Sequence, residues 1–306
     1  MVVHLYISNS KIMKKKILFI PFVILIVVAL DLVNRVFCLY SFNHVQEDSR
    51  VYYQHIYHLN NRQSDILIAG ASNGMHSYIP SIISDSLKMT CFNSSQDGRN
   101  ISYQYFCLKK ALENGPVCKF LLDLGEAQIS KGWRYRTEYY QTYYWQNVDA
   151  REYMKKIGEW YLPFKMASSF IQYNNKFFIA LYNYLPMGKL TEDGYVPLPY
   201  TGKPFNDIAE PQNDNFTPDS LQIEYLDKIV SCCKEKSVEL IILASPRITY
   251  SAKFIEYITD YCTKNKVTFI NSVSSIEDRT MFKDFVHLND NGARLYTNEI
   301  VKYLKQ

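Results

Sequence analysis

Apolar residues along this chain gather into short runs of strand length: Ile66 to Ala69, Met89 to Phe92, Lys119 to Leu124, Glu239 to Ala244 and Val267 to Ile270. Segments of helix length lie between several of them, such as Tyr103 to Glu113 and Asp219 to Lys236. In the second of these, Leu226, Ile229, Val230 and Cys233 recur at helical spacing, and Thr217-Pro218 supplies an N-cap and a first-turn proline. Near-continuous apolar runs alternating with amphipathic helices predict a parallel sheet covered on both faces.

The alternation breaks between Ser130 and Asn215. That stretch holds Trp133, Trp145 and Trp160, the run YYQTYYW and the proline-rich GYVPLPYTGKPF. It reads as an aromatic-rich insertion over the strand ends, at about 130–215 and helical in its first half. A lid or sugar-stacking surface and an ordinary aromatic mini-core are both consistent with it.

The N-terminus has its own pattern. Lys14-Lys15-Lys16 precedes ILFIPFVILIVVAL, then DLVNRVFCLY. The uninterrupted run is shorter than the roughly 18 to 20 residues a spanning helix prefers, so it suits a signal-peptide core, a buried helix or an anchor. If Asp31 and Arg35 pair on one helical face and snorkel, the span extends towards Tyr40 and becomes adequate. No small-x-small cleavage site follows, which favours an uncleaved signal anchor, and the lysines before it place the remainder outside the cytoplasm. Met13, directly before the lysines, is a second candidate start. The expected organisation is a tail and anchor over 1–40, a stalk or linking helix over 41–64, and a domain over 65–306 that carries the insertion.

Charge and cysteine content narrow the chemistry. The 306 residues carry a formal net charge of only +4, and no basic tract interleaved with aromatics follows the N-terminal lysines, so nucleic acid is excluded as an expected partner. The 7 cysteines lack CxxC or other metal-ligand spacing. No metal or cofactor is expected, and most cysteines read as buried fillers, with one or two disulfides permitted in an oxidising compartment.

The stretch DILIAGASNGMHSY, from Asp65 to Tyr78, admits two chemistries. A glycine loop after a strand can cradle a dinucleotide phosphate, or the strand end can present Ser72 as a nucleophile. Against the first, His76 stands where a dehydrogenase loop needs its third glycine, and Tyr105 and Lys109, a Tyr and Lys four apart, come too early in the chain. The second gains from DFVHLN near the other end. There Asp284 and His287 stand three residues apart, between the last predicted strand and a helix beginning near Asp290. A serine hydroxyl needs a base; His287 suits that task, with Asp284 holding the ring.

These residues resemble the blocks of the SGNH/GDSL hydrolases. Gly70-Ala71-Ser72 matches the first block, with Ala71 where Asp is usual. Asn93 with Gly98 five residues on matches the second, and DFVHLNDNGARLY from Asp284 matches the last. The agreement covers residues 65–125 and 238–304. The third block departs: in LLDLGEAQ, Ala127 takes the place of the Asn that helps bind the oxyanion. Losing one such donor costs about 100- to 1000-fold in rate, unless Asn73, Asn100, Gln128 or an added residue substitutes. The resemblance implies Ser72, His287 and Asp284 as a catalytic triad and the N–H groups of Ser72 and Gly98 as oxyanion donors. The architecture is also similar to membrane-anchored proteins of alginate O-acetylation and of D-alanyl transfer in teichoic-acid synthesis.

The expected fold is therefore a three-layer α/β/α sandwich with a flavodoxin-like parallel sheet of about five strands behind an N-terminal transmembrane helix. The expected function is a serine-dependent ester hydrolase or O-acyltransferase of the cell envelope. It would act on an acylated glycan or small ester, with a membrane acyltransferase as a candidate partner. A non-catalytic binding or assembly subunit of the same fold is the alternative that Ala71 and Ala127 motivate. Asn73, Asn93, Asp97, Asn100 and Arg247 are candidate substrate contacts. Arg247 follows the fourth strand and suits an anionic substrate, whereas His76 reads as packing and Asp97-Gly98 as a turn.

Overall fold

The structure is a computed structural model and describes residues 2–44, 51–132, 137, 140, 143–158, 161–174, 176–182, 193–200 and 215–305. The chain forms two compact units, one of Met1–His44 with Glu138–Leu185 and one of Val45–Thr137 with Pro186–Gln306.

The second unit contains a five-stranded parallel sheet of β1 (Ile66–Ala69), β2 (Cys91–Asn93), β3 (Lys119–Asp123), β4 (Glu239–Ala244) and β5 (Thr268–Asn271). The strand order is 2-1-3-4-5, the flavodoxin-like order, with its switch point beside β1 and β3. β1 is buried at every position, and so is β4 after its first residue, as strands covered on both faces must be. Edge strand β5 is only partly covered. Alternate residues serve opposite faces: Ile66, Ile68, Leu121, Ile241 and Leu243 share a core with Tyr78, Ile83, Tyr296 and Ile300. Those partners come from α4 (Pro80–Leu87), α13 (Asp290–Leu304) and the segment before α4. On the other side lie α5 (Ile101–Asn114) and α11 (Ser220–Glu235), and α2 (Val51–Asn61) packs on α5 through the Asn114 amide, which donates to Leu59 O at 2.6 Å. α12 (Ala252–Asn265) lies beside α11, its Tyr261 hydroxyl donating to Asp227 at 2.7 Å.

Several boundaries shift by one or two residues from the sequence reading, and two of them have a clear local cause. Strand β2 starts at Cys91 rather than Met89, because Lys88 takes a left-handed conformation (φ 57°) to close α4 and bonds back to Ser84 O. Helix α11 is capped by Asp219, whose carboxylate accepts the Leu221 and Gln222 N–H groups at 3.0 Å. Pro218 instead bridges to Ser130, outside the helix.

In the first unit, α1 (Val2–Asn43) contains Phe19–Phe42, a stretch of mean hydropathy 2.4 that is long and apolar enough to be a membrane anchor or a signal sequence. It shares this unit with α7 (Val148–Lys156), α8 (Leu162–Ala167), α9 (Ser169–Gln172) and α10 (Lys176–Tyr182). Asp31 and Arg35 do approach, at 3.8 Å, and both also bond to residues in and around α9. The Asp31 carboxylate accepts the Ser168 hydroxyl and the Ser169 N–H, each at 2.7 Å, at the start of α9. Arg35 donates to Gln172 Oε1 at 3.0 Å and to Ala167 O at 2.5 Å. Aromatics of the insertion pack on one another here, with Tyr140 and Tyr153 rings 4.4 Å apart, while the Trp145 indole donates to Met166 O at 3.0 Å. Trp133 and Trp160 lie outside the described residues, as does GYVPLPYTGKPF beyond Tyr200. None of the 7 cysteines forms a disulfide, and no metal-holding group occurs among the described residues.

Candidate active site

The site is built beyond the carboxyl ends of the strands. At the end of β1 a Cβ on Gly70 would stand 3.0 Å from the Asp123 Cβ and carbonyl oxygen, so glycine lets the chain pass the end of β3. It then turns into α3 (Ser72–Ser77). Ser72 is the first residue of that helix, and its N–H has no intrahelical acceptor.

The Ser72 hydroxyl donates to His287 Nε2 at 2.7 Å. On the far side of the ring, His287 Nδ1 donates to the Asp284 carboxylate, 2.9 Å from Oδ1 and 2.8 Å from Oδ2. An ionised carboxylate only accepts, which puts the neutral ring's proton on Nδ1 and leaves the Nε2 lone pair for the serine. Asp284 Oδ1 also accepts the Val286 and His287 N–H groups, each at 2.9 Å. Burial pushes this carboxyl up, but the His287 bond, those N–H groups and the positive charge the ring takes when protonated outweigh it and hold it below the usual carboxylate range.

The loop carrying His287 is pinned from both sides. Asn73, next to Ser72, donates to Val286 O at 2.5 Å, and Ile248, next to Arg247, donates its N–H to Phe285 O at 2.8 Å. Asn289 caps α13 by accepting the Gly292 N–H at 3.1 Å, while its amide donates to Thr280 O at 2.7 Å. The imidazole is thus positioned by backbone contacts from three directions, as an acid/base group requires.

Ser72 and His287 open on a cleft of about 420 Å³, lined also by Asn73, Gly98, Asp123, Glu126, Gln128 and Arg247. Gly98 is in the left-handed region (φ 63°). Of the candidate contacts, Asn73 and Arg247 line this cleft; Asn93, Asp97 and Asn100 do not. Asn93 is fully buried, its amide donating to Gly74 O at 2.8 Å and Tyr78 O at 3.2 Å, so it staples α3 to β2 and is corrected to a structural role. Asp97 is exposed and lies 3.5 Å from His76 Nε2, and Asn100 is buried at the start of α5. His76 Nδ1 bonds to Val196 O at 2.7 Å, a packing role. Tyr105 and Lys109 both lie on α5, where Tyr105 packs on Tyr225 of α11, away from the cleft.

Three further groups shape the cleft, of which the sequence reading had named Gln128 as a candidate donor. Asp123, 1% exposed at the end of β3, accepts the Tyr78 hydroxyl at 2.9 Å and the Ser245 N–H at 3.2 Å. Burial pushes its carboxyl up, against the opposing pull of the Arg247 charge. Gln128, on the short helix α6 (Glu126–Ile129), accepts the Gly125 N–H through Oε1 at 2.7 Å, which fixes the amide orientation and leaves a buried Nε2 with no partner. Arg99 lines the same cleft, with its guanidinium 5.1 Å from the centre of the Tyr103 ring. No motif marks these groups, because each meets the cleft from a different element.

No protein-family model and no curated protein matches the sequence. Solved structures do. A provisionally named platelet activating factor from Streptococcus pneumonia is 15% identical with a TM-score of 0.42, over 84% of this chain and 92% of that chain. A provisionally named acylhydrolase from Bacteroides fragilis NCTC 9343 is 11% identical with a TM-score of 0.41, over 84% and 96%. An acetyl xylan esterase is 10% identical with a TM-score of 0.39, over 78% and 99%. The fold assignment rests on this chain's own strand order, and its chemistry on the side chains described above.

Proposed function

We propose that this chain cleaves or transfers an ester-linked acyl group through Ser72. The observation that carries this reading is the continuous relay from the Ser72 hydroxyl through His287 to Asp284. In the reaction, Ser72 Oγ attacks the ester carbonyl carbon as His287 Nε2 takes its proton. The tetrahedral adduct then collapses, the C–O bond breaks, and His287 returns the proton to the departing alkoxide. Water or a second hydroxyl, deprotonated by His287, attacks the acyl-serine and regenerates Ser72. The Ser72 and Gly98 N–H groups are the proposed oxyanion donors, and the unpartnered Gln128 amide replaces the donor missing at Ala127.

The proposed setting is the outer face of a membrane, with an acylated envelope glycan as acceptor or donor. The lysines before the apolar helix support that orientation. The bonds from Asp31 and Arg35 to Ala167–Gln172 support retention of the helix, since cleavage after it would strip those groups of their partners. Steady-state hydrolysis of 4-nitrophenyl acetate by the full chain in neutral detergent tests the reading. Turnover abolished in Ser72→Ala is the expected result, and a rise in acyl transfer over hydrolysis on adding a glycan acceptor identifies a transferase. Equal turnover in both proteins refutes the reading and leaves a binding subunit.

A further inference from the structure

Arg247 is 8% exposed and lines the cleft beside Ser72. A guanidinium carries five N–H donors and stays charged, so burial without acceptors is costly. Among the described residues the hydrogen bonding of this one is a single long contact, Nε to Ser245 O at 3.5 Å, and Nη2 has no partner. Gly125 lies against the fork: a Cβ there would come 3.2 Å from Nη1 and 3.4 Å from Nη2, so no side chain stands between.

The carboxylates that share the cleft are engaged elsewhere. Asp123 holds the Tyr78 hydroxyl and the Ser245 N–H, and Glu126 accepts the Ser251 N–H at 3.1 Å. Arg247 forms an ion pair with neither among the described residues. Arg99 adds a second guanidinium to the lining. The lining thus carries two guanidinium groups and two carboxylates, and within it the Arg247 fork keeps N–H donors without acceptors, in the cleft that Ser72 also lines.

We propose that the cleft selects esters bearing a carboxylate, and that Arg247 binds this group by its planar fork. The inference rests on the ester-cleaving reading and assigns its substrate class. The carboxylate belongs either to the acyl part or to the alcohol part of the ester, and two substrate pairs separate these sources. For the acyl side, the pair is 4-nitrophenyl hydrogen succinate and the corresponding neutral succinamate. For the alcohol side, it is 4-acetoxybenzoate and 4-acetoxybenzamide. The full chain in neutral detergent should prefer the charged member of one pair by about tenfold or more in kcat/KM. In Arg247→Gln that ratio should fall to near unity, and in Arg247→Lys, which keeps the charge without the fork, to an intermediate value.

Binding to Ser72→Ala protein, measured by calorimetry with 4-acetoxybenzoate against the amide and with monomethyl succinate against neutral methyl succinamate, tests the site without turnover. A charge preference lost on adding Arg247→Gln supports the proposal even where the triad reading fails. No preference in either pair overturns it, as does a preference that survives Arg247→Gln. A loss that falls equally on charged and neutral esters also overturns it, and assigns Arg247 to the oxyanion instead.

Discussion

Replacing Asp284 by Asn tests the relay at the group least involved in bonding to substrate. The asparagine Oδ1 can still accept the Val286 and His287 N–H groups, now at 2.9 Å, so the loop is kept. Its NH2 replaces Oδ2, which lies 2.8 Å from His287 Nδ1, so the ring N–H keeps only Oδ1, at 2.9 Å and already accepting two N–H groups, and meets a donor beside it. Moving the ring proton to Nε2 relieves that clash, but the proton then faces Ser72 and the ring can no longer accept the serine proton. In a buried triad this exchange costs about 10⁴ in turnover through the wrong tautomer. Here the Asp284 side chain is 41% exposed and the imidazole 21% exposed, so water competes for the freed sites. The expected loss is correspondingly smaller, about 10³-fold in kcat, or about 4 kcal/mol. The assay is 4-nitrophenyl acetate turnover with circular dichroism as the folding control. A folded Asp284→Asn protein within about tenfold of wild type would refute the relay.

Gln128→Ala should lower kcat by about 10²-fold with little change in KM, if the buried amide serves the transition state alone; an equal rise in KM would assign it to ground-state binding. At Gly194 (φ 93°) a Cβ would fall 1.9 Å from Asn93 O, so Gly194→Ala should lower the melting temperature sharply or prevent soluble expression, and an unchanged Tm would contradict the packing described. Acid should destabilise the second unit through His55, which burial pushes down to about 4 against the opposing Gly194 carbonyl and the Asp97 charge. The unfolded chain binds this proton first, so stability is complete above about pH 6.5 and falls from there towards about pH 4. Denaturant midpoints measured across that window should flatten in His55→Gln, and an identical slope in both proteins would remove His55 from the account. Asp31→Ala should loosen the first unit, read as faster proteolysis near Ser168, because it removes the acceptor of the Ser168 hydroxyl and the Ser169 N–H.

Much of the sheet was legible because it is local. Ile66–Ala69 and Glu239–Ala244 stand as predicted, since each is a continuous apolar run whose whole length is needed inside a covered parallel sheet. Asp284 and His287 were legible for the same reason: three residues in one loop suffice to bring carboxylate and ring together. The meeting of His287 with Ser72, 215 positions away, followed only from the expected strand order. What stayed hidden lies between elements. Asn93 has the spacing of a site residue, but its amide is consumed by the Gly74 and Tyr78 carbonyls, which no one-dimensional pattern records. Asp31 and Arg35 look like a snorkelling pair at helical spacing, yet residues more than 130 positions away supply their partners. The buried Tyr78–Asp123 bond was equally unreadable, because its members belong to segments 45 residues apart.

An activated Ser72 is what separates an acyl-cleaving enzyme from a binding subunit of the same fold. Labelling of the full chain in neutral detergent with a fluorophosphonate, followed by peptide mass spectrometry, measures that directly, beside Ser72→Ala and His287→Ala. Adduct on Ser72 in the wild type, with labelling lost in both variants, is the predicted result. Folded wild-type protein that does not label, or that labels equally without His287, would contradict it.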